Sequence, residues 1–257
     1  MTPPSLRPLS VGEILDVSFT LYRRHFAALA GVALVCSGFP VLLSIYIEAA
    51  GGMLTNIRLT AAYYVVFMVL SAIATAATVF IVSESYLGRP LGARAALARS
   101  TPLLARIVVC SILLALVVGV GLVFFLIPGV ILACGLLLAF PALVLEPDAT
   151  PTGALGRSWA LTRGARWRML GLLVTLVILL YIPLVSLGGI AAVMLPAADL
   201  AGARGGTAGL VAVGLAGVVQ MLIYPLFYCV LTVAYYDLRV RKEGFDLEVL
   251  ASTLQPA

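Results

Sequence analysis

The chain has 257 residues, of which 63% are hydrophobic and 11% charged, with a net charge of +5 and a mean hydropathy of +1.15. Soluble chains run at about 45–50% apolar and about 25% charged, so lipid must form part of this protein's solvent. The balance excludes a soluble enzyme, and it excludes a nucleic-acid partner, which would need basic residues interleaved with exposed aromatics on a soluble domain.

Residues 1–10 hold Arg7 and three prolines but no apolar core, and so do not read as a cleavable signal peptide. From Ser10 a short amphipathic helix begins, with Ser10 and Glu13 in capping-box spacing. At 100° per residue Val11, Ile14, Leu15, Ser18, Tyr22 and Phe26 share one face, and Glu13, Asp16, Thr20, Arg23 and Arg24 the other. His25 follows as an interfacial anchor. A membrane-spanning helix needs about 20 apolar residues, and the first two candidates lie at roughly 26–48 and 60–83. A second short helix around Ala96–Ser100 precedes the third span, roughly 104–126. Ile127-Pro128-Gly129 predicts a tight hairpin into a short fourth span, 129–146. Thr150 caps a third short helix that starts with Pro151, places Leu155 beside Trp159, and points Arg157 and Arg163 away. The fifth and sixth spans lie at roughly 169–195 and 208–236, and residues 238–257 read as a tail.

Charge orients these spans. Only Arg58 and Arg204 of the sixteen Lys and Arg residues fall on one side. The positive-inside rule puts both termini in the cytoplasm, as an even number of spans requires. The expected location is a bacterial inner membrane.

The chain also repeats. Leu15, Ser18, Leu21 and Arg23 match Leu155, Ser158, Leu161 and Arg163 at one constant offset, and Phe19 matches Trp159. Ala96-Leu97-Ala98-Arg99-Ser100 matches Ala154-Leu155-Gly156-Arg157-Ser158. The expectation is an all-α integral membrane protein of six transmembrane helices and three short cytoplasmic-face amphipathic helices. It is built as a pseudo-threefold, parallel repeat with units near 10–88, 90–147 and 150–237.

Three separated motifs carry a family resemblance. They are Arg7-Pro8-Leu9-Ser10-Val11-Gly12-Glu13-Ile14-Leu15-Asp16 with Leu21-Tyr22-Arg23-Arg24-His25-Phe26, then Arg157-Ser158-Trp159 with Leu161-Thr162-Arg163-Gly164, then Tyr235-Tyr236-Asp237-Leu238-Arg239-Val240-Arg241-Lys242-Glu243-Gly244-Phe245-Asp246. In this order they resemble the bacterial glycerophosphoryl diester phosphodiesterase membrane-domain family. In some relatives that region is fused to a soluble phosphodiesterase barrel, which needs about 250 residues of its own. The resemblance therefore implies the membrane module alone, with no catalytic residues to carry over.

The residues point away from an enzyme and imply no cofactor or metal: one histidine and four cysteines (Cys36, Cys110, Cys134, Cys229) scattered in apolar runs supply no convergent ligand set. Glu84, Glu146 and Asp237 end the second, fourth and sixth spans, near the short-helix arginines, and read as interfacial ion-pair partners. Arg23, Arg24, Arg99, Arg157, Trp159 and Arg163 are candidate contacts to lipid headgroups or a partner protein. Gln220, deep in the sixth span, is the candidate intramembrane polar site, with interhelical hydrogen bonding as its simpler role. Pro40, Pro141, Pro183 and Pro225 predict bends. The expected function is a scaffold, assembly factor or accessory subunit of an envelope complex, partnered by membrane lipids and other membrane proteins. The alternative is a transporter or lipid-handling protein with its site between the repeats.

Overall fold

The computed structural model describes residues 7–52, 55–146, 148–194 and 207–245, and every regular element among them is helical. The order is α1 (Val11–Arg24), α2 (Phe26–Ala49), α3 (Ile57–Tyr86), α4 (Ala93–Ser100), a single 3₁₀ turn (Thr101–Leu103), α5 (Leu104–Phe124), α6 (Leu126–Leu136), α7 (Ala139–Leu145), α8 (Pro151–Thr162), α9 (Arg166–Met194) and α10 (Thr207–Glu243). Five stretches are long and apolar enough to cross a membrane: Phe26–Ala49, Ile57–Tyr86, Ala93–Phe124, Leu126–Leu145 and Val213–Glu243. Arg204 and the end of the fifth predicted span fall outside the described residues.

Local signals set the helix starts. Ser10 accepts from the Glu13 N–H at 3.2 Å while Glu13 takes the Ser10 N–H at 2.7 Å, so two otherwise orphaned donors are satisfied reciprocally. Thr150 accepts from the Gly153 N–H at 3.1 Å, with Pro151 in the first turn where its missing N–H costs nothing. Ile14 and Ser18 of α1, Ala96 and Ser100 of α4, and Ala154 and Ser158 of α8 are all fully buried.

Three boundaries differ from the sequence expectation. The α5–α6 corner is made by Phe125 alone, extended at φ −150° and ψ 108°, and Ile127-Pro128-Gly129 already lies inside α6. The corner can be this sharp because Gly129 sits against Gly121 and Leu122, and a Cβ there would lie 2.5 Å from the Leu122 nitrogen. The fourth span is not one helix but α6 and α7, parted at Leu137–Leu138. Pro141 lacks the N–H that would engage the Leu137 carbonyl, so the helix yields just before it. Finally, α10 runs on to Glu243 with Leu238 and Val240 buried, so what was expected to be tail begins as packed helix.

Candidate functional site

The end of the bundle that carries the short helices is an ion-paired collar. Arg99 of α4 reaches Glu84 at 3.2 Å, and Arg89 reaches the same carboxylate at 3.3 Å. Arg157 of α8 binds Glu146 at 2.7 Å and Glu243 at 2.5 Å, and Tyr235 donates its hydroxyl to Glu146 at 2.9 Å. The hydrogen bond to Glu243, joined by that to Glu146, outweighs the opposing effect of burial and holds the Arg157 guanidinium still more firmly protonated than usual. Asp237 is buried and accepts the Leu9 N–H at 2.6 Å, Arg168 at 2.6 Å and Arg241 at 3.1 Å. Arg168 and Arg241 also donate to the Leu9 carbonyl, so both backbone groups of Leu9 are fixed.

The Arg157–Gly164 motif docks α8 onto the gap between α6 and α7. Breaking the helix frees the Gly135 carbonyl and the Leu138 N–H. Ser158 donates to Gly135 at 2.8 Å and accepts from Leu138 at 3.1 Å, and Thr162 donates to Gly135 at 3.0 Å. Trp159 packs edge-on over Gly135, where an added Cβ would lie 2.4 Å from its ring. The Arg166 guanidinium lies over that indole, 3.9 Å from the centroid. Lys242 donates to the Ala160 carbonyl at 3.0 Å and the Arg163 carbonyl at 2.5 Å, closing the α8 C-terminus where backbone acceptors are left over.

The six candidate contacts therefore fall into separate settings. Arg99 and Arg157 are spent on carboxylates. Arg23 is exposed and lies 6.0 Å from the Phe19 ring, and Arg24 is exposed. Trp159 and Arg163 do meet, lining a concavity of about 540 Å³ with Gly164, Arg166 and Trp167. His25 closes α1, and burial, then Arg24, push its imidazole below its ordinary value. The four cysteines are buried and unpaired.

Gln220 stands apart from the collar, in a cavity of about 230 Å³ between α2, α3 and α10. Ser37 and Ser44 line it from α2, Tyr63 and Ser71 from α3, and Gln220 and Tyr224 from α10, with no charged side chain among the lining residues. Most of the hydroxyls are already committed. Ser44 donates to Val41 at 2.7 Å, Ser71 to Met68 at 3.1 Å, and the Tyr224 hydroxyl meets that of Thr75 at 2.7 Å. Gln220 is exposed, lines the cavity and hydrogen-bonds no described residue. Beside it Gly217 lets Val41 approach to where a Cβ would lie 2.8 Å away, which clamps α10 against α2. Pro225 removes the donor for the Met221 carbonyl, one turn beyond Gln220. The Tyr22 hydroxyl donates to the neighbouring Leu222 carbonyl at 3.0 Å.

Sequence reading missed the serines and tyrosines around Gln220 because each is unremarkable alone in an apolar run. It missed Arg168 and Arg241 because Leu9 and Asp237, which they join, lie 228 residues apart. No family model, curated protein or solved structure matches the chain.

Proposed function

We propose that this chain is a non-enzymatic, six-span protein of a bacterial inner membrane that holds a neutral, polar-headed amphiphile between α2, α3 and α10, as a lipid-handling module. One observation carries the reading: a primary amide, Gln220, faces a cavity at mid-span and has no hydrogen-bond partner among the described residues. An amide left without a partner in an apolar medium costs on the order of 2–7 kcal/mol. A ligand that accepts and donates hydrogen bonds there offsets that cost. The uncharged lining favours hydroxyl, ester or amide groups over an ion. The volume suits a headgroup fragment, with the acyl chains left in the bilayer.

Several features support the wider architecture. The α9 helix is 29 residues long and, as the fifth span in chain order, brings the count to six in this reading. The collar joins Leu9, α4, α8 and the end of α10 at one end of the bundle, in keeping with termini on one side and with a cytoplasmic excess of arginine. The three buried pairs Ile14/Ser18, Ala96/Ser100 and Ala154/Ser158 occupy matched positions of the three units. Membership of the family resembled by the three motifs rests on the residues quoted for it. A second reading, a scaffold for an envelope complex, draws on the collar itself, which makes the short-helix end a rigid platform.

The test is mass spectrometry of lipids that co-purify with the protein in mild detergent. Wild type retains a neutral amphiphile that Gln220→Leu loses, with both proteins eluting as one symmetric species. Identical lipid profiles would remove the basis for the reading. A change of oligomeric state in Gln220→Leu would instead assign the amide to a contact between copies, and a stoichiometric partner protein would favour the scaffold. Arg58→Cys, labelled by an impermeant thiol reagent only from the outer face, checks the orientation.

A further inference from the structure

We propose that Trp159, Arg163, Arg166 and Trp167 form a cradle for the phosphate of an acidic membrane lipid, a site separate from the Gln220 cavity. The argument starts from charge. Arg99, Arg157, Arg168 and Arg241 each bind a carboxylate. Arg163 and Arg166 stand a few residues from Arg157 and Arg168, line one concavity of about 540 Å³, and have no carboxylate among its lining residues. Neither side chain donates a hydrogen bond to any described residue, and the Arg166 Nε is buried without an acceptor. Stacking on Trp159 occupies the face of the Arg166 guanidinium and leaves its N–H edge free to donate. The described residues thus seat the Arg166 guanidinium and fix Arg163 by its backbone, and supply neither side chain with an anion.

Geometry fixes the cradle and gives its depth. Gly164, at φ +83°, turns the chain between α8 and α9, and Lys242 pins the Arg163 carbonyl, so Arg163 is held at the corner. Trp167 is 86% exposed in the first turn of α9, which then runs into an apolar stretch. An indole there belongs at headgroup level, where its ring meets lipid and its N–H meets water. Two arginines without a carboxylate partner among the described residues, beside an exposed tryptophan at the mouth of a membrane helix, match an anionic phosphodiester better than a soluble anion, because the indole adds apolar contact with the glycerol and upper acyl region.

The chain has two tryptophans, and both belong to the cradle, so its intrinsic fluorescence reports on this site alone. The full chain is reconstituted in vesicles of zwitterionic lipid, and lipids brominated near the headgroup end of the acyl chain are titrated in. Brominated phosphatidylglycerol should quench at lower mole fraction than brominated phosphatidylcholine, by about fivefold for each juxtamembrane arginine engaged. Arg163→Gln and Arg166→Gln should each reduce that preference, and the double variant should abolish it at unchanged melting temperature. Arg163 makes no side-chain bond to any described residue, so its single variant remains informative if the double variant folds poorly. Equal quenching by the two lipids in wild type overturns the proposal. So does a preference in Arg163→Gln as strong as that of wild type. An emission shift produced by inorganic phosphate in lipid-free detergent, together with loss of the lipid preference in its presence, would assign the site to a free anion and overturn the lipid source.

Discussion

Replacing Ser158 by alanine isolates what the α8 motif does. The hydroxyl is fully buried, donates to the Gly135 carbonyl and accepts from the Leu138 N–H. In the variant the carbonyl keeps Thr162 as a donor, but the amide is left with no acceptor. An orphaned buried amide costs about 1–3 kcal/mol. Ser18 and Ser100 provide matched controls, because they are equally buried yet only donate back to their own helix, to Ile14 at 2.6 Å and Ala96 at 2.7 Å. Their alanine variants orphan nothing and should cost under about 1 kcal/mol. For a chain of this size 1 kcal/mol corresponds to roughly 2–4 °C in Tm, so a loss of about 2 kcal/mol lowers it by about 4–8 °C. The four buried cysteines supply the assay: unfolding in detergent exposes them to a thiol-reactive dye, at fixed lipid and detergent. Equal melting temperatures for Ser18→Ala, Ser100→Ala and Ser158→Ala would refute the claim that Ser158 repairs a broken helix.

Three other changes probe the same framework. Gly135→Ala places a methyl 2.4 Å from the Trp159 ring, so the indole must leave its seat; tryptophan emission shifts red, and Trp159→Leu in the same chain restores much of the lost stability. Asp237→Ala leaves Arg168 and Arg241 without their buried carboxylate and Leu9 without its acceptor, a loss on the order of 3–5 kcal/mol; hydrogen exchange at Leu9 should rise more than at Leu87. Hydrogen bonds from the Ser10 backbone, then from Arg7, hold Glu13 down at about 2 from its ordinary 4.5. Its contribution to the α1 cap is therefore present above the ordinary value and lost as pH falls through about 2; exchange protection of the first turn of α1 should exceed that of Glu13→Gln at neutral pH, and the gap should close in acid.

What the sequence made legible were the features encoded within a few residues. Apolar run lengths gave the helices, and the Ser10–Glu13 and Thr150–Pro151 pairs gave two of their starts. The break before Pro141 was marked by the proline, but its position depends on Ser158 and Thr162, which accept and donate to the freed groups from 20 to 27 residues away. Of the two partners of Arg157, Glu146 is close enough in sequence to be suggested as an ion-pair partner, whereas Glu243 lies 86 residues along the chain. Arg163 and Trp159 were singled out from their motif, whereas Arg166 and Trp167 were passed over as ordinary juxtamembrane residues. Gln220 was identified by its depth alone; that it has no partner among the described residues is a property of the packing around it, which no local pattern carries.

The three-unit reading proposed above gives the collar a reason. Arg99 and Arg157 occupy matched positions in the second and third short helices, and each binds the acid that ends the preceding unit, Glu84 or Glu146. A closed ring would have the first short helix bind Asp237 in the same way, but its matched position is Val17. Asp237 is also the acid whose side chain is fully buried. A valine cannot neutralise it, and a buried carboxylate without partners is expensive. The vacancy is filled from three other places: Arg168 at the start of α9, Arg241 one turn along α10, and the Leu9 N–H. The segment ahead of α1 is thereby drawn into the closure of the ring, and Leu9 is buried while the neighbouring Pro8 and Ser10 stay exposed. The opening motif Arg7-Pro8-Leu9-Ser10 thus serves two ends, with Ser10 starting α1 and Leu9 completing a carboxylate site that the first unit lacks the arginine to complete.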